Sequence, residues 1–319
     1  MTIGGKITSD DILSLSQNMR VSSSVRRMLN SDLAMFTLEG VAEDNQRFSS
    51  VLNEVHSAGV NVMNIGTSYI LDTGMSGLSR TTDILRRNGI TPVGAYRTAD
   101  EARNLNIQRI SGHSIAFLSY AQEISIDGIA NTTEADRAFA LKMLDPDVVM
   151  QDVRRARNLG AELVIVSVNW ADGPLGYLID QIVQSGADII VGSHPEIVEP
   201  LALRPVRLSD GTAHTVLVAT SLGNALAGES LSASNTAGTL LSLTYVKDTY
   251  TNRMRLETYR QYMPTWLAKD EVSGVHQLLP AGLRNKPTWM DSATYGTMHE
   301  AYNSQVNRLG YSVATPVAE

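Results

Sequence analysis

Glu39, Asn169, His194 and Glu196 are the side chains of this chain best placed to do chemistry, because each stands at the carboxyl end of a β-forming run. Glu39 follows Leu33–Leu38, Asn169 falls at the end of Leu163–Trp170, and His194 and Glu196 follow Asp188–Gly192. In open α/β sheets, loops converge at those ends and ligands collect there. Carboxylates and an imidazole in such a place are candidates for catalytic proton transfer or for holding a cation. Around them stand groups suited to binding: the hydroxyls of Thr67, Ser68, Tyr69 and Ser193, the Asn224 amide, the Trp170 ring and the Lys6 ammonium. Five strand ends, after Leu38, Ile65, Val168, Val191 and Thr220, are expected to line one cleft.

Each of these residues also has a plainer reading. His194 taken alone is more often a loop histidine satisfied by a hydrogen bond, Trp170 a core ring, and Asp72 a loop-holder or helix cap. His56, His113, His214, His276 and His299 show no H-x-H or H-x-x-x-H ligand spacing and read as structural or surface residues. Arg80, Arg86, Arg87, Arg97, Arg103 and Arg109 form a basic stretch that reads as a solvated helix face, or else as a carboxylate-binding surface.

The elements that must position these groups alternate along the chain. Further strands are expected at Val60–Ile65, Ser114–Tyr120, Thr215–Thr220, Thr239–Val246 and Arg255–Tyr262. A turn at Asp248–Asn252 joins the last two. Helices are expected from Asp10, N-capped by Ser9, and over Asp44–Ala58, Ser76–Asn88, Asp145–Leu159 and Leu175–Ser185. Gly59, Gly89, Gly160 and Gly186 follow the last four, in the position that favours a left-handed residue. Helix, glycine, then buried strand is the rhythm of helices packed on a sheet.

Composition narrows the function. The 319 residues are 43% hydrophobic and 18% charged, enough for a substantial core. A net charge of −7 gives no footprint for nucleic acid. The absence of cysteine removes disulfides, thiolate metal sites and thiol nucleophiles. No run approaches the roughly 18 apolar residues of a membrane span.

In order and spacing, the strand-end motifs resemble the CapA-type proteins of bacterial capsule and poly-γ-glutamate synthesis, from about Thr2 to Met290. That family's Asn-Leu-Glu-Gly appears here as Thr37-Leu38-Glu39-Gly40, and its Asn-Asn-His-x-x-Asp-x-Gly as Thr67-Ser68-Tyr69-Ile70-Leu71-Asp72-Thr73-Gly74. Its His-Trp-Gly appears as Asn169-Trp170-Ala171, its Gly-His-His-Pro-His as Gly192-Ser193-His194-Pro195-Glu196, and its Ser-Leu-Gly-Asn as Ser221-Leu222-Gly223-Asn224. The resemblance implies a four-layer α/β/β/α sandwich like the calcineurin-type metallophosphoesterases. It would span residues 1–290, with a helical extension over 291–319 packed on the same domain.

The departures bear on mechanism. In the family pattern, Asp, Asn and His side chains bind two divalent metals. Here Lys6 replaces the Asp, Ser68 and Tyr69 replace an Asn-His pair, and Asn169, Ser193 and Glu196 replace three His. No resident cofactor is therefore expected, and an ion pair between Lys6 and Glu39 is expected in place of the metals. The resemblance implies an extracellular, membrane-attached component of polymer synthesis or export, anchored by a segment this chain lacks. Its expected partners are a polyglutamate-like anionic polymer or the membrane proteins of capsule synthesis. The competing expectation is a hydrolase or transferase with a rearranged, metal-poor site that uses Glu39, Asn169, His194 and Glu196, with one manganese, iron or zinc if any.

Overall fold

The structure, a computed structural model, describes residues 1–171, 173–194, 196–208, 211–226, 237–251 and 253–317. Of the residues singled out above, Pro195 and Asn252 lie outside the described residues.

The chain runs β1 (Thr2–Thr8), α1 (Ser9–Ser14), β2 (Arg20–Val21), α2 (Ser23–Leu29), β3 (Ala34–Glu39), α3 (Gln46–Ser57), β4 (Val62–Asn64), α4 (Gly74–Arg87) and β5 (Thr91–Val93). It continues through α5 (Ala99–Arg103), β6 (Asn106–Ile110), β7 (His113–Ala121), α6 (Ile126–Ala130), α7 (Glu134–Ala140), α8 (Pro146–Asn158), β8 (Leu163–Asn169), α9 (Gly176–Val183) and β9 (Ile189–Ser193). The remainder is β10 (Leu201–Arg207), β11 (Ala213–Ala219), β12 (Ala237–Asp248), β13 (Arg253–Lys269), β14 (His276–Pro280), α10 (Ser292–Leu309) and β15 (Thr315–Pro316).

Two sheets form. The larger has the order β2-β14-β13-β12-β1-β3-β4-β5, with β15 paired to β13. The smaller has the order β10-β11-β9-β8-β7-β6. Within them, β1-β3-β4-β5 and β7-β8-β9-β11 are parallel runs. Side chains alternate across a strand, so each parallel strand feeds two cores. Ile3, Met35, Phe117, Ile165 and Leu217 fill the space between the sheets. Ile7, Leu38, Phe48, Leu52 and Leu78 join the larger sheet to its helices, and Leu118, Val149, Val164, Val166 and Ile182 join the smaller sheet to α8 and α9. The result is the four-layer α/β/β/α sandwich.

Helix ends follow local chemistry. Gly59, Gly89, Gly160 and Gly186 close their helices at φ +127°, +76°, +90° and +76°. The N-cap of α1 is Thr8 and not Ser9: its hydroxyl accepts from Asp11 N–H, and the Asp11 carboxylate accepts from Thr8 N–H. Asp72 does not cap α4, whose N-cap is Thr73. It accepts a hydrogen bond from the Ser125 hydroxyl instead and so ties two loops together.

Candidate functional site

Lys6 enters the site from β1. The strand passes so close to the chain at Gly223 that a Cβ on Gly5 would lie 2.1 Å from the Gly223 oxygen. Lys6 N–H donates to Gly223 O at 2.9 Å, and Ala225 N–H donates to Lys6 O at 2.7 Å. This backbone clasp fixes where the lysine stem leaves the strand. Its Nζ meets Glu39 Oε1 at 2.9 Å, with side chains only 3% and 7% exposed. Glu39 is the last residue of β3, and Gly40 turns the chain away at φ +99°.

The smaller sheet supplies the opposing half. Asn169 ends β8, fully buried and paired in register with Ser193 at the end of β9. Its Nδ2 donates to Ser193 Oγ at 3.1 Å and to Glu39 Oε2 at 3.3 Å. Ser68 donates twice to its Oδ1. The Asn169 amide thus joins the two sheets through their strand ends.

His194 follows at φ +92°, a backbone conformation costing about 1–3 kcal/mol for a residue with a side chain. It carries the imidazole to Glu39, with Nδ1 3.5 Å from Oε1, and sets the ring 6.0 Å from that of Tyr69. Nδ1 is buried and makes no hydrogen bond within ordinary geometry. Burial pushes the Glu39 carboxyl upward, but the neighbouring His194 imidazole and the Lys6 ammonium outweigh it and hold Glu39 below the usual carboxylate range.

Above this floor opens a cleft of about 630 Å³, within the roughly 300–1,000 Å³ typical of ligand sites. Lys6, Glu39, Tyr69, His194, Glu196 and Asn224 line it, as the strand ends suggest. Thr67, Ser68, Asn169, Trp170 and Ser193 do not; they are buried beneath it. Trp170 is a core residue, fully buried, with its N–H donating to Thr220 O. Its assignment as a ligand-binding ring is therefore corrected, and Thr67, fully buried, is corrected likewise.

Sequence reasoning missed Asp10, Asp11 and Glu43, which also line the cleft. Only the acidic first turn of α1 pointed to two of them, and that signal also fits a helix cap. With Glu39, Asp72 and Glu196 they make six lining carboxylates against Lys6 and His194. The cleft is acidic, which opposes entry of a polyanion.

Three of the six arginines of the basic stretch form ion pairs. Arg87 pairs with Asp44, Arg97 with Asp83 and Glu101, and Arg103 with Asp100, while Arg80 donates to Ala42 O. The other histidines take structural partners: His113 meets Glu162, His214 meets Ala187 O, His276 meets Ser16 N–H, and His56 and His299 meet backbone carbonyls.

Two divalent cations need several anionic or imidazole donors to offset their mutual repulsion. Around Glu39 the inner positions are held by an ammonium, an amide and two hydroxyls, with His194 the one imidazole. This set does not fit a two-metal centre.

A family model described as "Bacterial capsule synthesis protein PGA_cap" matches residues 14–229. The capsule biosynthesis protein CapA of Bacillus anthracis is 27% identical over 155 residues, covering 46% of this chain and 37% of that protein. The PGA biosynthesis protein CapA of Bacillus subtilis (strain 168) is 26% identical over 148 residues, covering 44% and 38%. The matched stretch thus spans less than half the length of either relative. Among solved structures, a phosphatase from Mycoplasma pneumoniae is similar with a TM-score of 0.43 and 12% identity, over 81% of this chain and 92% of that one. The sulfate thiohydrolase SoxB of Thermus thermophilus is similar with a TM-score of 0.41 and 11% identity, over 96% and 60%.

Proposed function

The chain belongs to the PGA_cap family of bacterial capsule synthesis proteins, and from that premise we propose that it acts in cell-surface polymer assembly as a non-catalytic component. The observation that supports this is the Lys6–Glu39 pair, which fills the floor of the cleft with a neutralised, hydrogen-bonded unit. Of the two expected partner classes, proteins of the membrane synthesis machinery suit the cleft better than a polyglutamate-like chain. Six lining carboxylates would repel the latter, and three of the six arginines that could have held it elsewhere are already in ion pairs. The site of action is the cell surface. No helix of the described residues is long and apolar enough to cross a membrane.

One observation favours the second reading, a hydrolase or transferase: the His194 imidazole stands on the cleft wall in contact with Glu39. Two assays decide between them. The purified chain is given a chromogenic phosphodiester with and without manganese, beside His194→Ala. In parallel, a strain lacking the protein is complemented with parent, His194→Ala or Glu196→Gln. The non-catalytic role predicts no turnover and polymer yield that follows the amount of folded protein. Turnover that His194→Ala abolishes, together with lost polymer at unchanged protein level, would establish the enzyme instead.

A further inference from the structure

Lys6 is the one buried lysine or arginine among the described residues, and it lines an acidic cleft. Both oxygens of Glu39 are committed to N–H donors there. Oε1 takes Lys6 Nζ at 2.9 Å and lies 3.5 Å from His194 Nδ1, while Oε2 takes Asn169 Nδ2 at 3.3 Å. A divalent cation bound to Oε1 would sit about 2.0–2.6 Å from it. That shell overlaps the ammonium already there, and two like charges so close repel strongly where water is excluded.

We propose that the Lys6 ammonium is the resident cation of this cleft: it closes the floor to divalent metals and keeps Glu39 charged whatever the metal supply. The ligand class that this position accepts is a primary ammonium. Three features select it over a metal ion. The Asn169 amide presents hydrogens, not lone pairs, to Glu39. The Asn169 oxygen is already occupied by both donors of Ser68. Among the described residues, no group of three or more His, Asp or Glu side chains gathers into a metal-holding arrangement. A single carboxylate oxygen with hydrogen-bond donors around it suits N–H better than a coordination shell. The inference shares the Lys6–Glu39 pair with the proposed non-catalytic role, but its test reads cation binding at that pair and not turnover or polymer yield, so the two can fail separately.

The test cuts the side chain back and returns the charge as a free molecule. Lys6→Ala is melted in methylammonium chloride, in tetramethylammonium chloride at equal ionic strength, and in manganese chloride. The expected result is a lowered melting temperature that methylammonium raises saturably, that tetramethylammonium does not raise, and that manganese restores less well. An alanine variant that melts like the parent, or equal rescue by the two ammonium salts, overturns the proposal. Should the variant not fold, the parent protein still decides. Manganese is added while the amide signals of Ser68 and Ser193 are followed by NMR. Signals that stay sharp until rim residues have broadened support a closed floor. Saturable broadening of both at substoichiometric manganese refutes it.

Discussion

Ser68 gives both of its donors to one atom of Asn169: the backbone N–H reaches Oδ1 at 2.9 Å and the hydroxyl at 2.7 Å. The loop after β4 is thereby locked to the end of β8, and the same amide's nitrogen is turned toward Ser193 and Glu39. Asn169→Ala would leave the two buried Ser68 donors without an acceptor, and Ser193 Oγ and Glu39 Oε2 without the amide donor, each unsatisfied group costing about 1–3 kcal/mol. A loss of about 2–5 kcal/mol in urea unfolding is expected. Asn169→Asp keeps the shape but sets a second carboxylate against Glu39. It should destabilise more at pH 8 than at pH 5.

Lys6 and Glu39 form a buried pair, and removing one partner of such a pair typically costs about 3–5 kcal/mol. Lys6→Met and Glu39→Gln should each fall near that range. The double variant should lose less than the sum of the two, because no uncompensated charge remains. A double-mutant cycle from unfolding midpoints measures the coupling, and additive losses would show that the two charges do not depend on each other.

The pair also sets a pH dependence. Glu39 titrates below its unfolded value, so its contribution is fully present above the usual carboxylate range and fades as pH falls through the lowered one. The parent should therefore lose stability on acidification more steeply than Glu39→Gln. Melting curves from pH 7 to pH 3 give the comparison.

Two glycines should respond in opposite directions. Gly5→Ala drives a Cβ to 2.1 Å from the Gly223 oxygen, a backbone atom that cannot swing aside, and should cost about 1–3 kcal/mol or more. Gly296 lies exposed inside α10, and a methyl group added there would meet nothing within 4 Å, so Gly296→Ala should stabilise by about 0.5–1 kcal/mol. Differential scanning calorimetry on the two variants resolves the signs.

Tyr120 donates to Asp152 at 2.9 Å, and Lys142 reaches the same carboxylate oxygen at 2.6 Å. Burial, reinforced by the Asp152 charge, pushes the Tyr120 phenol far up. Its ionisation should be absent from a spectrophotometric titration until the protein unfolds. Tyr120→Phe should cost about 1 kcal/mol, as for one hydrogen bond, and Asp152→Ala more, since two donors lose their acceptor.

Where the chain's signals are local and strong, the sequence alone makes the structure legible. Gly59, Gly160 and Gly186 punctuate amphipathic helices, and the apolar runs after them are the central strands β4, β8 and β9. That periodicity places Glu39, His194 and Asn169 together, because side chains that end parallel strands share one edge of a sandwich. Other elements give no such signal. β6 is a half-buried edge strand and β10 contains Pro205, while α2, α5, α6 and α7 are too short for a period to show. The expected strand ending at Tyr262, before Pro264, instead runs on to Lys269 as β13, because the Pro264 carbonyl still accepts from Ala281 N–H. Trp170 beside Asn169 has no legible place in the sequence, since its burial depends on which way the chain leaves β8. The acid rim is hidden for a similar reason: Asp10 and Glu43 are apart in sequence and meet only across the fold.

β1 has a position in time as well as in space. It is synthesised before both of its neighbours: β3 follows closely and can pair with it early, but the other is β12, where Ile3 lies opposite Leu241. The N-terminal ammonium itself donates to Leu243 O. At synthesis rates of about 5–20 residues per second, roughly 10–50 seconds separate the two strands. Throughout that interval one side of β1 has its hydrogen-bonding groups open, an edge able to recruit foreign strands. Gly223 and Ala225, whose backbone clasps Lys6, are likewise made long after Lys6 and Glu39. A nascent chain stalled before residue 237 would carry its binding floor without the strand that guards it, and such a fragment would need a chaperone more than the finished protein does.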